Sequence, residues 1–286
     1  MTDRTYGYRG AIVCWKTSES NHRMIADAVA NLGPQFKECR CGAPTPASAM
    51  RWALSEVVEP DVKNHKILVR DLKDAKDKAF VVVQEDPKMR GDLRFRQRYI
   101  VMLYSGHHFD VSPALSPTQE VTLREKFIRY MDCLPSTAVG VCLADVIRTM
   151  GAIPLRESGG VYWVPEEKLL AWKQFASEVE RSGENKIYNL TVQADDDMIR
   201  CVADNLVVMA TGQIDEVMKE LDKEEISEAT VKSRQSKLDF LYGQVRNFEE
   251  AFQYSLDCLK PRVEEARSSL ALYNLMESSF EETIEE

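Results

Sequence analysis

A chain of 286 residues, 44% hydrophobic and 29% charged, has the makeup of a globular protein of about two domains with mass enough for a real core. No apolar run approaches the roughly 18 residues that span a bilayer, and the start, "MTDRTYGYRGAIVCWK", lacks a signal peptide's apolar core, so a cytoplasmic protein without membrane contact is expected. The net charge of −9 divides unevenly: residues 1–194 carry 27 Lys+Arg and 24 Asp+Glu, residues 195–286 carry 10 and 22, which argues against the C-terminal third holding a phosphate backbone.

The first element is a strand over Gly10–Lys16, followed by a helix from about Ser18 in which Met24, Ile25, Ala28, Val29 and Leu32 recur at helical spacing until Gly33-Pro34. Thr45 reads as the N-cap of a second helix with Pro46 in its first turn. The period then changes. Residues 66–111 are β-branched and aromatic, broken by charged turns, and predict an antiparallel sheet packed by the two preceding helices. Within it Arg94, Arg96 and Arg98 alternate with Leu93, Phe95 and Gln97, which on a strand sets three guanidiniums on one face. Lys88 and Arg90 precede them and His107 and His108 follow, making the best basic patch of the chain. Its chemistry suits phosphate or an acidic protein surface, and pairing with Glu85, Asp86 or Asp92 on a solvated face is the plain alternative.

Ser116 and Pro117 open a further helix, and "STAVGVCLADVIRTMG" puts Val139, Cys142, Leu143, Val146, Ile147 and Met150 on one core-facing stripe. Next comes "LRESGGVYWVPEEK". With Gly159 and Gly160 as the central residues of a two-residue hairpin turn, Arg156 opposes Trp163, Leu155 opposes Val164 and Pro154 opposes Pro165. One face then carries Ile153, Leu155, Tyr162 and Val164, and the outer face carries Arg156 and Trp163. Helix, turn, helix and hairpin give the outline of a winged helix, but its reading helix would offer Arg148 as its one cation and no cluster for base edges. A phosphate loop is disfavoured because neither G-K-[ST] nor G-x-G-x-x-G is present. Pro165 starts another helix, "NKIYNLTVQ" is a strand, and Asp195-Asp196-Asp197 read as N-capping of a long helix rather than metal ligands.

From there the chain is helical. One stripe runs through Ile199, Val202, Leu206, Met209, Val217 and Leu221. A second runs through Leu238, Leu241, Val245, Phe248, Phe252, Leu256, Leu259, Val263, Ala266, Leu270 and Tyr273, with a stutter-like step and Pro261 expected to kink or interrupt it. These narrow stripes predict a helical hairpin or coiled coil, whose partner is either the preceding helix or another subunit.

"GAIPLRESGGVYWVPEEKL", followed by an amphipathic helix and a long acidic helical tail, resembles an uncharacterised domain family of bacteriophage and bacterial genomes whose members carry a "GGVYFVP"-like hairpin. The likeness spans roughly residues 115–275 closely and the first hundred residues loosely, with Trp163 where Phe is usual. It implies a phage or mobile-element context, in a bacterial cell or infected host, and brings no catalytic residues.

The expected fold is therefore α+β: an N-terminal sheet with helices over 1–114, a helix-helix-hairpin module, winged-helix-like in outline, over 115–194, and an acidic helical hairpin or coiled coil over 195–286. Seven cysteines, odd in number and scattered, with Cys39 and Cys41 off C-x-x-C spacing, read as thiols in a reducing compartment without metal or redox work. No catalytic set, cofactor motif, metal site or small-molecule site is expected. The reading is a non-catalytic interaction or assembly protein that meets a protein partner or its own copy through the helical stripe and the basic strand. The alternatives are a nucleic-acid-binding accessory protein using Arg94, Arg96, Arg98, Arg156 and Trp163, or an enzyme of unrecognised class.

Overall fold

The computed structural model describes residues 6–58, 66–72, 78–87, 93–104, 108–156, 159–221 and 228–282. In chain order the elements are β1 (Tyr6–Lys16), β2 (Ser20–Asn21), α1 (His22–Ala30), α2 (Pro46–Val57), β3 (Lys66–Leu72), β4 (Lys78–Pro87), β5 (Leu93–Leu103), β6 (Phe109–Ser112), α3 (Pro117–Asp132) and β7 (Cys133–Leu134). They continue with α4 (Ser136–Thr149), β8 (Ile153–Pro154), β9 (Val161–Pro165), α5 (Glu166–Arg181), β10 (Lys186–Ala194), α6 (Asp196–Leu221), α7 (Glu228–Phe252) and α8 (Lys260–Glu282). The fold is α+β with antiparallel sheets. Two compact units interleave along the chain, one drawn from Met1–Trp15, Val146–Gln174 and Ile187–Glu286, the other from Lys16–Asp145 and Phe175–Lys186.

In the second of these units β3, β4, β5 and β6 form a four-stranded meander in sequence order. The helices covering it are α2 and α3, not α1 and α2 as chain order suggests. Leu123, Phe127 and Tyr130 of α3 join Ala49, Met50, Ala53 and Leu54 of α2 over Phe80, Val82, Val101 and Leu103 in one core. Both helices start where side chains satisfy the first free N–H groups. Thr45 and Ser48 exchange bonds across the start of α2, Ser116 and Gln119 do so at α3, and each helix has proline in its first turn. A fully buried side chain such as Leu54 or Phe127 contributes roughly 2–3 kcal/mol to that core.

In the other unit the sheet order is β10-β1-β9-β8, so β9 lies between β1 and β8. Gly10 pairs with Pro165 and Cys14 with Val161 along β1–β9. Ile153 and Trp163 pack into a core built from α6, α7 and α8. On the other side of the sheet Trp15 stacks on Tyr162 with ring centres 5.4 Å apart, and the Trp172 indole N–H donates to Asn189 at 2.9 Å.

The C-terminal segment forms three helices where a hairpin was expected, because the second stripe breaks. The chain turns between Phe252 and Lys260, so the helix is interrupted beside Pro261, one of the two outcomes expected there, and Pro261 sits in the first turn of α8. Gln253 takes a left-handed backbone (φ 50°), and the Glu249 carboxylate accepts the Leu256 N–H at 2.6 Å and pairs with Lys260 at 3.2 Å, which fixes the reversal. Each helix pair is joined by an ion pair: Arg234–Glu220 for α6 and α7, Arg262–Asp215 for α6 and α8, Arg267–Asp239 for α7 and α8.

Candidate functional site

The basic strand does not keep its three arginines in simple alternation. Val82 pairs with Tyr99 but Val83 pairs with Gln97, so Arg98 is an extra residue in β5 and the face changes there. Arg98 turns its guanidinium to the buried Gln84 Oε1 at 2.9 Å and lies 5.7 Å over the Tyr99 ring. Arg96 pairs in register with Gln84, and Arg94 with Asp86. Lys88, Arg90 and His107 lie outside the described residues.

The opposite face of this sheet carries a feature that alternation alone obscured. Phe95 is 50% exposed, and the guanidinium of Arg70, across β4 on β3, sits 5.0 Å above its ring. Leu72 is exposed beyond it, and Lys66 is exposed at the near end of β3. Locating this pair requires the β3–β4–β5 register, because Arg70 and Phe95 are 25 positions apart.

The glycine hairpin departs from its expected register. Ile153 opposes Trp163 and Pro154 opposes Tyr162, three positions off the arrangement in which Arg156 faces Trp163. The Leu155 N–H donates to Val161 O at 3.0 Å, so the loop is longer than two residues. Trp163 is consequently not on an outer face. It is 1% exposed and lies 5.2 Å from the Phe252 ring. A wing needs one solvated face, and β9 is buried on both, Trp163 against the helical core beside Phe252 and Tyr162 beneath the Trp15 ring. Gly159 has φ +99°, with the Arg156 side chain folded over it, and a Cβ on Gly160 would stand 2.4 Å from the Trp15 ring. Both glycines are thus structural. Arg156 is exposed, in a different compact unit from Arg96 and Arg98.

The helical stripe is enclosed within its own chain. Leu238, Leu241, Val245, Phe248, Phe252, Leu256, Leu259, Val263 and Leu270 are all at most 4% exposed, packed among α6, α7 and α8. Asp195 caps α6 by accepting the Met198 N–H at 2.8 Å. Among the described residues no three His, Cys, Asp or Glu side chains are placed to hold a metal, and no helix is long and apolar enough to cross a membrane.

A cluster of titratable groups gathers where α2, α3, β2 and β7 meet. Glu56 takes hydrogen bonds from the Tyr130 hydroxyl and from Lys126 at 2.6 Å, and Arg129 donates to Glu19. Partial burial pushes the Glu56 carboxyl up, but the bonds from Lys126 and Tyr130 and the cations of Lys126 and Arg129 outweigh it and hold it below the usual carboxylate range. Burial, then Glu56, pushes the Tyr130 phenol up. Burial, then the Glu19 carboxylate, raises the Cys133 thiol above its ordinary value. These directions hold each group in its ordinary charge state at neutral pH.

The cysteine expectation is overturned at one place. Cys41 and Cys142 form a disulfide across 101 residues, while Cys14, Cys39, Cys133, Cys201 and Cys258 remain thiols. Neither an odd count nor C-x-C spacing reveals a bridge closed by tertiary packing of a loop on α4. Arg40, between Cys39 and Cys41, binds Asp145 through its side chain at 2.7 and 2.8 Å, one helical turn past Cys142. A cavity of about 420 Å³ opens beside Cys39 and Cys41.

Residues 10–282 match the model of a family described as Family of unknown function (DUF6744). No curated protein and no solved structure matches the chain.

Proposed function

We propose that this chain, which belongs to the DUF6744 family, is a non-catalytic interaction protein of a phage or mobile-element setting that presents the open face of its β3–β6 sheet to an anionic macromolecule. The observation that carries the reading is the half-exposed Phe95 ring beneath the Arg70 guanidinium, with Lys66 exposed on the same face, in a protein whose net charge is −9. An aromatic ring and a preorganised cation side by side are anchors that interfaces favour. The apolar stripe of the C-terminal helices is occupied within the chain, which supports looking to the sheet for the partner contact. The partner in this reading is an acidic protein surface. A photo-crosslinking residue in place of Phe95, in the native host, should capture a discrete protein, and Arg70→Glu should abolish the capture. A crosslinker at Phe95 that captures no discrete protein defeats the reading.

Single-stranded nucleic acid is the second reading, favoured by the same ring, since an exposed aromatic flanked by cations is a platform on which a base stacks. Labelled single-stranded DNA and RNA titrated at low salt should then bind with a steep salt dependence, and Phe95→Ala should weaken binding by about 1–3 kcal/mol. Absence of binding at low salt eliminates it.

A further inference from the structure

The Cys41–Cys142 bridge is enclosed, with Cys41 2% and Cys142 0% exposed, so a thiol arriving from solvent has little access to either sulfur. Two residues away Cys39 keeps its thiol and is half-buried. The Cys41 N–H donates to the Cys39 carbonyl at 2.7 Å, closing a three-residue turn over Arg40. A turn of that kind holds its end residues within the Cα separation a disulfide spans, about 4.4–6.8 Å. The turn is clamped to α4 independently of the sulfurs, because Asp145 accepts both the Arg40 backbone N–H at 3.1 Å and the Arg40 side chain. Cys39 and Cys41 also line one cavity of about 420 Å³, together with Ala26, Val29, Pro34 and Lys37. That is room for a small organic thiol beside the half-buried Cys39, while Cys41 stays enclosed.

We propose that Cys39, Cys41 and Cys142 form a thiol–disulfide exchange site that takes low-molecular-weight thiols, with Cys39 as the sulfur of entry. The Cys39 thiolate attacks Cys41 Sγ; the Cys39–Cys41 bond forms as the Cys41–Cys142 bond breaks, and Cys142 leaves as a thiolate. The entering thiolate then attacks Cys39 Sγ, giving a mixed disulfide on Cys39 and releasing the Cys41 thiolate. A second molecule of the thiol displaces the first from Cys39 as a small disulfide. Two thiols lose two electrons to the protein bridge, their two protons pass to Cys41 and Cys142, and Cys39 is regenerated. The loop is then held to α4 by Arg40–Asp145 without the covalent tie.

The test uses the oxidised full-length chain and 2-mercaptoethanol, quenched with acid at intervals, alkylated and mapped by peptide mass spectrometry. Alkylated Cys142 should appear at least about tenfold more slowly in Cys39→Ser than in the wild type. Early wild-type samples should contain 2-mercaptoethanol attached to Cys39 or a peptide bridged between Cys39 and Cys41, a readout that does not depend on any variant folding. Cys201→Ser, which removes an exposed thiol on α6, should follow the wild-type course. Equal rates in the wild type and Cys39→Ser overturn the proposal, as does the same slowing in Cys201→Ser. Recovery of Cys41 and Cys142 as thiols before any reductant is added overturns it too.

Discussion

Trp163 shows how a single side chain can carry the wrong meaning until its strand's neighbours are known. Alternation along one hairpin puts it outside, yet β9 is a central strand, and Trp163 fills the space over Phe252. Its indole Nε1 is buried with no hydrogen-bond partner among the described residues, so the ring acts here as a hydrocarbon that carries an uncompensated N–H. Trp163→Phe removes that N–H together with a few carbons, and the two effects oppose. Urea unfolding should show a change within about 1 kcal/mol, whereas Trp163→Ala should lose about 3–5 kcal/mol. An equal loss in both would mean that the indole N–H is bonded after all. Gly160 is the companion case. Alanine there drives a methyl into the Trp15 ring, which is itself stacked on Tyr162. Gly160→Ala should cost about 1–3 kcal/mol and shift tryptophan emission, because the ring must leave its stack.

Helix starts were legible where a capping residue acts locally, although α1, expected from about Ser18, starts at His22 behind the N-cap Asn21. Thr45, Ser116 and Asp195 all cap where the sequence places them. Registers and the form of the break were not legible, because they are set by residues distant in sequence. The extra residue at Arg98 is visible only against β4, and the turn before α8 depends on Glu249 reaching forward to Leu256. The bond between α2 and α3 belongs to the same class: nothing in the spacing joins Glu56 to Tyr130, 74 positions away. It gives a pH signature. The Glu56 carboxyl is held below its ordinary range in the folded chain, so its stabilising contribution is present above the unfolded carboxylate value, about 4.3, and is lost as pH falls through the lower folded value. Thermal melting points taken from pH 6 downward should fall for the wild type across that acidic window and fall less steeply for Glu56→Gln. Parallel curves would assign the acid sensitivity to other carboxylates.

For the molecule as a whole, a linear reading delivers consecutive segments, whereas the compact units exchange chain at α4 and α5. The unit holding α6, α7 and α8 draws Ile153 and Trp163 into its core from strands far earlier in the sequence. This arrangement separates two meanings of the long apolar stripe. A stripe that joins subunits can be charged without unfolding the protomer, and the consequence is a smaller particle with its helices intact. An enclosed stripe has no such freedom, because the charge must be buried or the helices must part. Leu241 is fully buried in α7, so Leu241→Asp places a carboxylate among the apolar side chains of that core. The expected loss exceeds about 4 kcal/mol, a large fraction of the 5–15 kcal/mol that holds a domain folded. Far-UV circular dichroism should therefore show reduced helix content and a melting transition that is broadened or lost, while light scattering on the wild type shows no mass change that depends on this face. Undiminished helicity together with a fall in particle mass would instead assign the stripe to a contact between copies.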